Sequence, residues 1–243
     1  MDNCCIIVPC YNEENRIELE RFADFIQSNG NFHFLFVNDG SKDNTLLKLK
    51  SYTEGNPKME VLDLAQNVGK AEAIRIGLSK MAHKNYKLIG FLDADLATPL
   101  EELPKFIEKM KGDDHLVITG ARIMRLGTDI ARKWYRHYIG RVFATLASMS
   151  LKLAVYDTQC GAKVFRADVV EEIFKEKFLS KWLFDIELLF RLKKTKQYGE
   201  CNFPVYELPL SKWDDKHGSK LKLRDFIKAP YELLRIHFKY NQK

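Results

Sequence analysis

An apolar run, Leu88 to Leu92, leads straight into two aspartates one residue apart, Asp93 and Asp95, within "KLIGFLDADLATPLEELPKF" (87 to 106). At a strand end alternate residues share a face, so both carboxylates can converge on one point. Two like charges that close need a cation from outside to stay ionised. Oxygen ligands of this kind suit Mg2+ or Mn2+, which bind through a few carboxylates and leave positions open for phosphate oxygens. A helix cap competes for the same residues, because Asp often starts helices and a helical pattern follows Pro99. One aspartate satisfies that role and leaves the other over.

Basic residues supply the complementary chemistry. The chain carries a net charge of +6, unevenly placed. Residues 120 to 141 hold Arg122, Arg125, Arg132, Lys133, Arg136 and Arg141 against Asp129 alone, and residues 212 to 243 carry a similar excess. Such segregation points to an anionic partner: phosphate groups, a membrane surface or nucleic acid. Arg122 and Arg136 are candidate ligands for an acceptor phosphate, since guanidinium forks match phosphate oxygens. No nucleic-acid motif or stacking platform accompanies the basic residues, which argues against a nucleic-acid partner.

The elements that must position these groups alternate. Strand-like runs cover 4 to 9, 33 to 39, 59 to 64, 86 to 93 and 115 to 120, and helical patterns cover 13 to 28, 43 to 54, 69 to 82 and 101 to 111. Repeated βα units with near-continuous apolar strands predict an α/β fold, a mostly parallel sheet covered by helices on both faces. Ligands of such sheets bind beyond the carboxyl ends of the strands. Tyr11, Asn12 and Glu13 follow the first run, Asp39 ends the second, and Asp93 with Asp95 end the fourth, which makes that edge a nucleotide pocket. Neither a GxGxxG nor a GxxxxGK[ST] loop is present, so a metal must meet the phosphates instead.

At 243 residues, with 30% charged and 46% hydrophobic residues, the chain has the profile of one large folded domain. Residues 1 to 210 are expected to form it, with a loop and amphipathic helix from 211 to 243 packed on the same domain. Five cysteines without CxxC spacing argue against a disulfide framework or zinc knuckle and for a reduced, cytoplasmic setting. No secretory or membrane-spanning segment is evident. Residues 131 to 153 begin cationic and aromatic and end apolar, and 223 to 240 mix apolar and basic positions. Both patterns suit helices lying at lipid headgroups, so peripheral contact at the cytoplasmic membrane face is expected.

"VPCYNEE" (8 to 14), "FVNDGSKDNT" (36 to 45), "NVGKAEAIRIG" (67 to 77) and "LDADLATP" (92 to 99) resemble the successive signatures of family 2 glycosyltransferases with the GT-A fold. "DTQCGAKVFR" (157 to 166) and "WLFDIELLFR" (182 to 191) resemble the polyprenyl-phosphate branch, especially dolichyl-phosphate glucosyltransferase-like enzymes. The resemblance implies a Rossmann-like nucleotide-binding domain. It implies that Pro9, Tyr11, Glu13 and Asp39 contact base and ribose, that Lys70 and Ala94 lie at the nucleotide, and that Asp93 and Asp95 serve the nucleotide sugar. Asp95 would hold the metal on the diphosphate. Asp157 and Gln159 would belong to the acceptor side, Asp157 as a base or as the group that orients a ligand or an arginine. Lys220, in "KHGSKLKL", would close over the diphosphate from a loop (211 to 220) that is mobile without ligand. Of Asp185 and Glu187, one would face the site and the other only start a helix.

The activity implied is inverting transfer of a hexose from a nucleotide sugar, of UDP-glucose or GDP-mannose type, to a polyprenyl phosphate at the membrane surface. Such an acceptor monoester has a second pKa of about 6, arrives largely deprotonated, and needs cations rather than a base. A hydroxyl acceptor in cell-surface polysaccharide or glycan synthesis is the alternative, and it would need a general base.

Overall fold

The computed structural model describes residues 3–112, 115–131, 134–195, 203–214 and 223–241. Five strands alternate with helices along the first half: β1 Cys4–Cys10, α1 Leu19–Ser28, β2 Phe32–Asp39, α2 Thr45–Thr53, β3 Met59–Leu64, α3 Lys70–Ala82, β4 Leu88–Leu92, a 3-10 turn Leu100–Glu102 running into α4 Leu103–Gly112, and β5 Val117–Ala121. These agree closely with the sequence pattern except at the first helix. There Arg16 and Ile17 donate backbone N–H groups to the Glu13 carbonyl, forming a separate turn, and α1 starts only at Leu19.

The second half adds β6 Asp129–Ala131, α5 Trp134–Leu151, β7 Ala162–Arg166, α6 Ala167–Ile173, α7 Phe184–Lys194, β8 Val205–Pro209, β9 Lys212–Asp214 and α8 Leu223–Asn241. The main sheet runs β3-β2-β1-β4-β7-β5-β8. Its pairs are parallel except where β7 enters between β4 and β5 antiparallel to both. That strand lies inside "DTQCGAKVFR" and was not expected. Its polar Lys163 interrupts the apolar run that identifies the other strands.

Strand alternation divides the core. Cys4, Ile6, Val8 and Cys10 pack with α1 and α4 on one face, while Cys5 and Ile7 pack with α3, α6 and α7 on the other. On the second face α3 lies very close to the sheet: a Cβ on Gly77 would stand 2.6 Å from Ile7 Cγ2. A third cluster joins α5, α7 and α8 through Ala147, Leu151, Ile186, Leu189, Leu233 and Ile236. Cys4, Cys5, Cys10 and Cys160 are buried free thiols.

A separate two-stranded sheet, β6-β9, corrects one expectation. Residues 212 to 214 belong to no open loop, because β9 pairs in parallel with β6 and Trp213 is only 9% exposed. The remainder of that segment, with His217 and Lys220, lies outside the described residues, as do Arg132 and Lys133.

Candidate active site

The loops after β1 and β2 lock together at the carboxyl edge. Asn12 takes the left-handed conformation (φ 52°), which asparagine tolerates. Its N–H donates to Ser41 Oγ at 3.0 Å and its Oδ1 accepts from Lys42 N at 2.9 Å. Glu13 is buried, its carboxylate gripped by both Nε and Nη2 of Arg16 at 2.7 Å. Asp39 accepts from Val68 N at 2.7 Å and from Gly69 N at 2.9 Å. Gly40 beside it has φ 60°, and a Cβ there would meet the backbone of Gln66 and Asn67 at 2.5 Å. "NDG" thus clasps the 66–69 loop and fixes where α3 begins, which places Lys70. Pro9 pairs with Val37 in the sheet, and Tyr11 follows β1 directly at the same edge.

β4 delivers the carboxylate pair. Asp93 N donates to Gly161 O at 3.0 Å, and Asp93 Oδ1 meets Lys70 Nζ at 2.6 Å. The chain then turns sharply. Leu96 N reaches Asp93 O at 3.3 Å and Leu96 adopts φ 52°, a strained value for leucine. Burial of its side chain in the core holds it there. Asp95, between them, accepts from Ala97 N at 3.1 Å through Oδ1. Burial and then the Asp93 carboxylate raise the Asp95 pKa above its ordinary value. Burial opposes the Lys70 ammonium, but Asp93 and Asp185 outweigh it and raise its pKa. Ala94, between the two aspartates, is buried.

The other side of the cleft comes from β5 and the turn before β7. Arg122 grips Asp157 with two prongs, Nε to Oδ2 at 2.6 Å and Nη2 to Oδ1 at 2.8 Å. Its backbone N–H also donates to Asp157 Oδ2 at 3.1 Å. The guanidinium lies over the Trp213 ring at 5.2 Å. Glu207 on β8 accepts from Tyr156 N and Asp157 N at 2.7 and 2.6 Å, and burial raises its pKa. Gln159 N donates to Asp157 Oδ1 at 3.2 Å, so its backbone belongs to the same turn. Arg136 lies within α5, and its side chain is outside the described residues.

Asp157→Ala should destabilise the fold by about 3 kcal/mol, the scale for removing one partner of a buried ion pair. Arg122→Lys keeps the charge, loses the second prong, and should cost less. Urea unfolding of both variants checks the order; equal midpoints with the parent would mean the pair fixes nothing.

Between the two sides lies a pair of which sequence reasoning singled out only Asp185. Lys163, 2% exposed on β7, meets Asp185 Oδ1 at 2.8 Å. Asp185 stands in the first turn of α7, and burial raises its pKa although Lys163 and Lys70 oppose the rise. Glu187 is more than a helix-start charge. Fully buried, it accepts from Leu179 N, Arg191 Nη2 and Tyr240 Oη at 2.7, 3.0 and 2.8 Å, tying α7 to α8. The missed signals are a lysine and a glutamate inside short apolar strands, Lys163 in "AKVF" and Glu207 in "VYELP". Such positions normally hold apolar side chains.

Three cations here (Lys70, Arg122, Lys163) stand among five carboxylates (Asp93, Asp95, Asp157, Asp185, Glu207), an excess of two negative charges when all are ionised. A divalent cation matches that excess. Among the described residues no cluster of three His, Cys, Asp or Glu side chains could hold a metal. Two carboxylates alone would leave most of a divalent cation's shell to ligand phosphates and water, the habit of Mg2+.

The glycosyl transferase family 2 model matches residues 5–174. A dolichyl-phosphate beta-glucosyltransferase of Trichomonas vaginalis is 31% identical, with 95% of this chain and 71% of the relative covered. The Saccharomyces cerevisiae enzyme of the same name is 29% identical over 97% of this chain and 74% of its own. Among solved structures, glucosyl-3-phosphoglycerate synthase from Mycobacterium tuberculosis with Mn2+ and UDP-glucose superposes with a TM-score of 0.70. It is 16% identical, covering 98% of this chain and 79% of that one, a likeness of fold.

Proposed function

Because this chain belongs to glycosyl transferase family 2, we propose that it transfers a hexose with inversion from a nucleotide sugar, of UDP-glucose or GDP-mannose type, to a polyprenyl phosphate. The observation that carries the acceptor is the Arg122–Asp157 pair: both Asp157 oxygens are engaged by the guanidinium. A carboxylate so occupied is a poor general base for a hydroxyl. A phosphate monoester needs no base, and the fixed guanidinium still offers it Nη1, which makes no bond to Asp157. The names of the relatives, dolichyl-phosphate beta-glucosyltransferases, support the same acceptor and favour glucose.

In this reading Asp95, with Asp93 beside it, would hold Mg2+ or Mn2+ at the donor diphosphate, where the cation would supply Lewis-acid stabilisation of the leaving group. Lys70 pairs with Asp93 and orients it. Pro9, Tyr11, Glu13 and Asp39 shape the base and ribose end, Ala94 lies at the nucleotide, and Lys220 is the proposed contact that closes on the diphosphate. Gln159 and Arg136 are the proposed further acceptor contacts.

No helix among the described residues is long and apolar enough to cross a membrane. Two helices instead carry exposed apolar stripes. Tyr138, Val142, Leu146 and Met149 share one face of α5, and Tyr231, Leu234 and Phe238 one face of α8. Exposed Lys228, Arg235 and Lys239 edge the second stripe. Ser150 Oγ and His237 Nδ1, 2.9 Å apart, hold the helices side by side. Arg141 of α5 donates to Tyr156 O at 2.8 Å, next to Asp157. A lipid surface under these stripes would present an acceptor phosphate beside the Arg122–Asp157 pair.

Incubation with UDP-glucose or GDP-mannose, Mn2+ and a short polyprenyl phosphate should yield glycosyl-phosphoryl lipid. Vesicle binding should rise with anionic lipid and weaken with salt, since headgroup attraction is screened over about 8 Å at physiological ionic strength. Transfer to glycan hydroxyls with none to polyprenyl phosphate would replace this reading by the hydroxyl-acceptor one.

A further inference from the structure

Lys163 stands between the two halves of the site, buried on β7. Its strand pairs with β4 on one side, where Lys163 stands opposite Phe91, and with β5 on the other, where it stands opposite Thr119. Asp93 follows Phe91 by two residues and Arg122 follows Thr119 by three. The lysine is thus inserted between the strand that delivers the donor carboxylates and the strand that delivers the acceptor-side arginine.

An ammonium has three protons. Lys163 donates to two carbonyls, Cys160 O at 2.8 Å and Thr158 O at 3.1 Å, and its ammonium also forms an ion pair with Asp185 Oδ1 at 2.8 Å. The two carbonyls belong to the turn whose first residue is Asp157 and whose last, Gly161, lies under Asp93. Glu207 grips the same turn through the N–H groups of Tyr156 and Asp157. The turn is therefore clamped by a carboxylate on its N–H groups and by an ammonium on its carbonyls. Only the ammonium also reaches a second element, α7, through Asp185.

We propose that Lys163, held by Asp185, is a positioning residue: it fixes the 157–161 turn so that the Arg122–Asp157 pair stands at the correct spacing from Asp93 and Asp95. The inference rests on the acceptor-side assignment of Arg122 and Asp157 above. Charge alone would let Lys163 act on the donor side through Asp185 and Lys70. The geometry gives it a different task, because two of its three protons go to the turn. Misplacing a reacting group by about 1 Å can cost about a hundredfold in rate, and loss of two carbonyl contacts frees the turn to shift by that order.

The test uses the full chain carrying both Lys163→Met and Asp185→Asn. Removing both charges avoids a stranded buried ion, and neutral replacement of a buried ion pair is often tolerated. The double variant should melt near the parent temperature and bind UDP with Mn2+ within about threefold of the parent. Amide hydrogen exchange in the 156–161 peptide should accelerate at least tenfold. Transfer from UDP-glucose to a short polyprenyl phosphate should fall about a hundredfold, while slow hydrolysis of UDP-glucose by water stays unchanged. Unaltered exchange in the turn would overturn the proposal. So would nucleotide affinity falling in step with transfer, because the pair would then act on the donor side. If the double variant does not fold, Lys163→Arg with Asp185 intact replaces it and must show the same local exchange and the same split between transfer and hydrolysis. Failure of the parent to use any polyprenyl phosphate would refute the acceptor reading alone. The exchange and nucleotide-binding arms contain no acceptor and would still decide Lys163.

Discussion

Replacing Asp95 with Asn should lower turnover about a thousandfold while leaving the fold intact, and a chelator should do the same to the parent. The substitution preserves size, and Asn Oδ1 can still accept from Ala97 N, as Asp95 does at 3.1 Å. Only the charge proposed to hold the cation on the diphosphate is lost. A thousandfold corresponds to about 4 kcal/mol of transition-state stabilisation, within the several kcal/mol a Lewis acid supplies to a leaving group. Stability should move the other way. Burial and repulsion from Asp93 already raise the Asp95 pKa, so an uncharged residue there relieves strain in the metal-free protein. Its melting temperature should hold or rise. Steady-state kinetics and thermal unfolding on one preparation check both, and full activity in chelator would remove the metal from the mechanism.

Gly161→Ala should abolish activity through a single methyl group. A Cβ on Gly161 would lie 2.1 Å from Asp93 Oδ2 and 2.4 Å from its Cγ, far inside any tolerable contact. Glycine's backbone freedom is not the issue here; the space belongs to the carboxylate. Asp93 would have to swing away, breaking its 2.6 Å pairing with Lys70 or the 3.0 Å bond from Asp93 N to Gly161 O. Displacement of that size should cost at least a hundredfold in turnover, with a lower melting temperature because Lys70 loses its partner. An alanine variant that turns over like the parent would mean Asp93 has another workable position.

The donor half of this arrangement was legible because its chemistry is local. Asp93 follows β4 directly, Asp95 sits in the turn just after it, and Asp39 ends a largely apolar strand, so position alone carries them to one edge. The family resemblance added the acceptor motif. What neither could supply was partnership across long sequence distances. Arg122 and Asp157 are 35 residues apart, and the expectation that Asp157 orients a ligand or an arginine could not name Arg122 as its partner. Lys163 and Glu207 escaped notice for a related reason: each is a charge inside an apolar strand, intelligible only once its buried partner is known. Trp213 was placed in a polar loop because three residues of β9 are too few to show a period.

The order in which the chain emerges during synthesis does not match the order in which its sheet closes. β5, at 117–121, is made some forty residues before β7, at 162–166, yet β7 is the strand that joins β5 to β4. Until β7 arrives, β1 to β4 can assemble from local βα units, but β5 has no neighbour on that sheet and waits as an unpaired edge. Late, long-range pairing of this kind is slow and exposes the chain to misassociation. The same step brings Gly161 under Asp93 and Asp157 onto Arg122. A nascent or truncated chain can therefore acquire most of a nucleotide-binding half, while the catalytic cleft comes into being only with the last insertion.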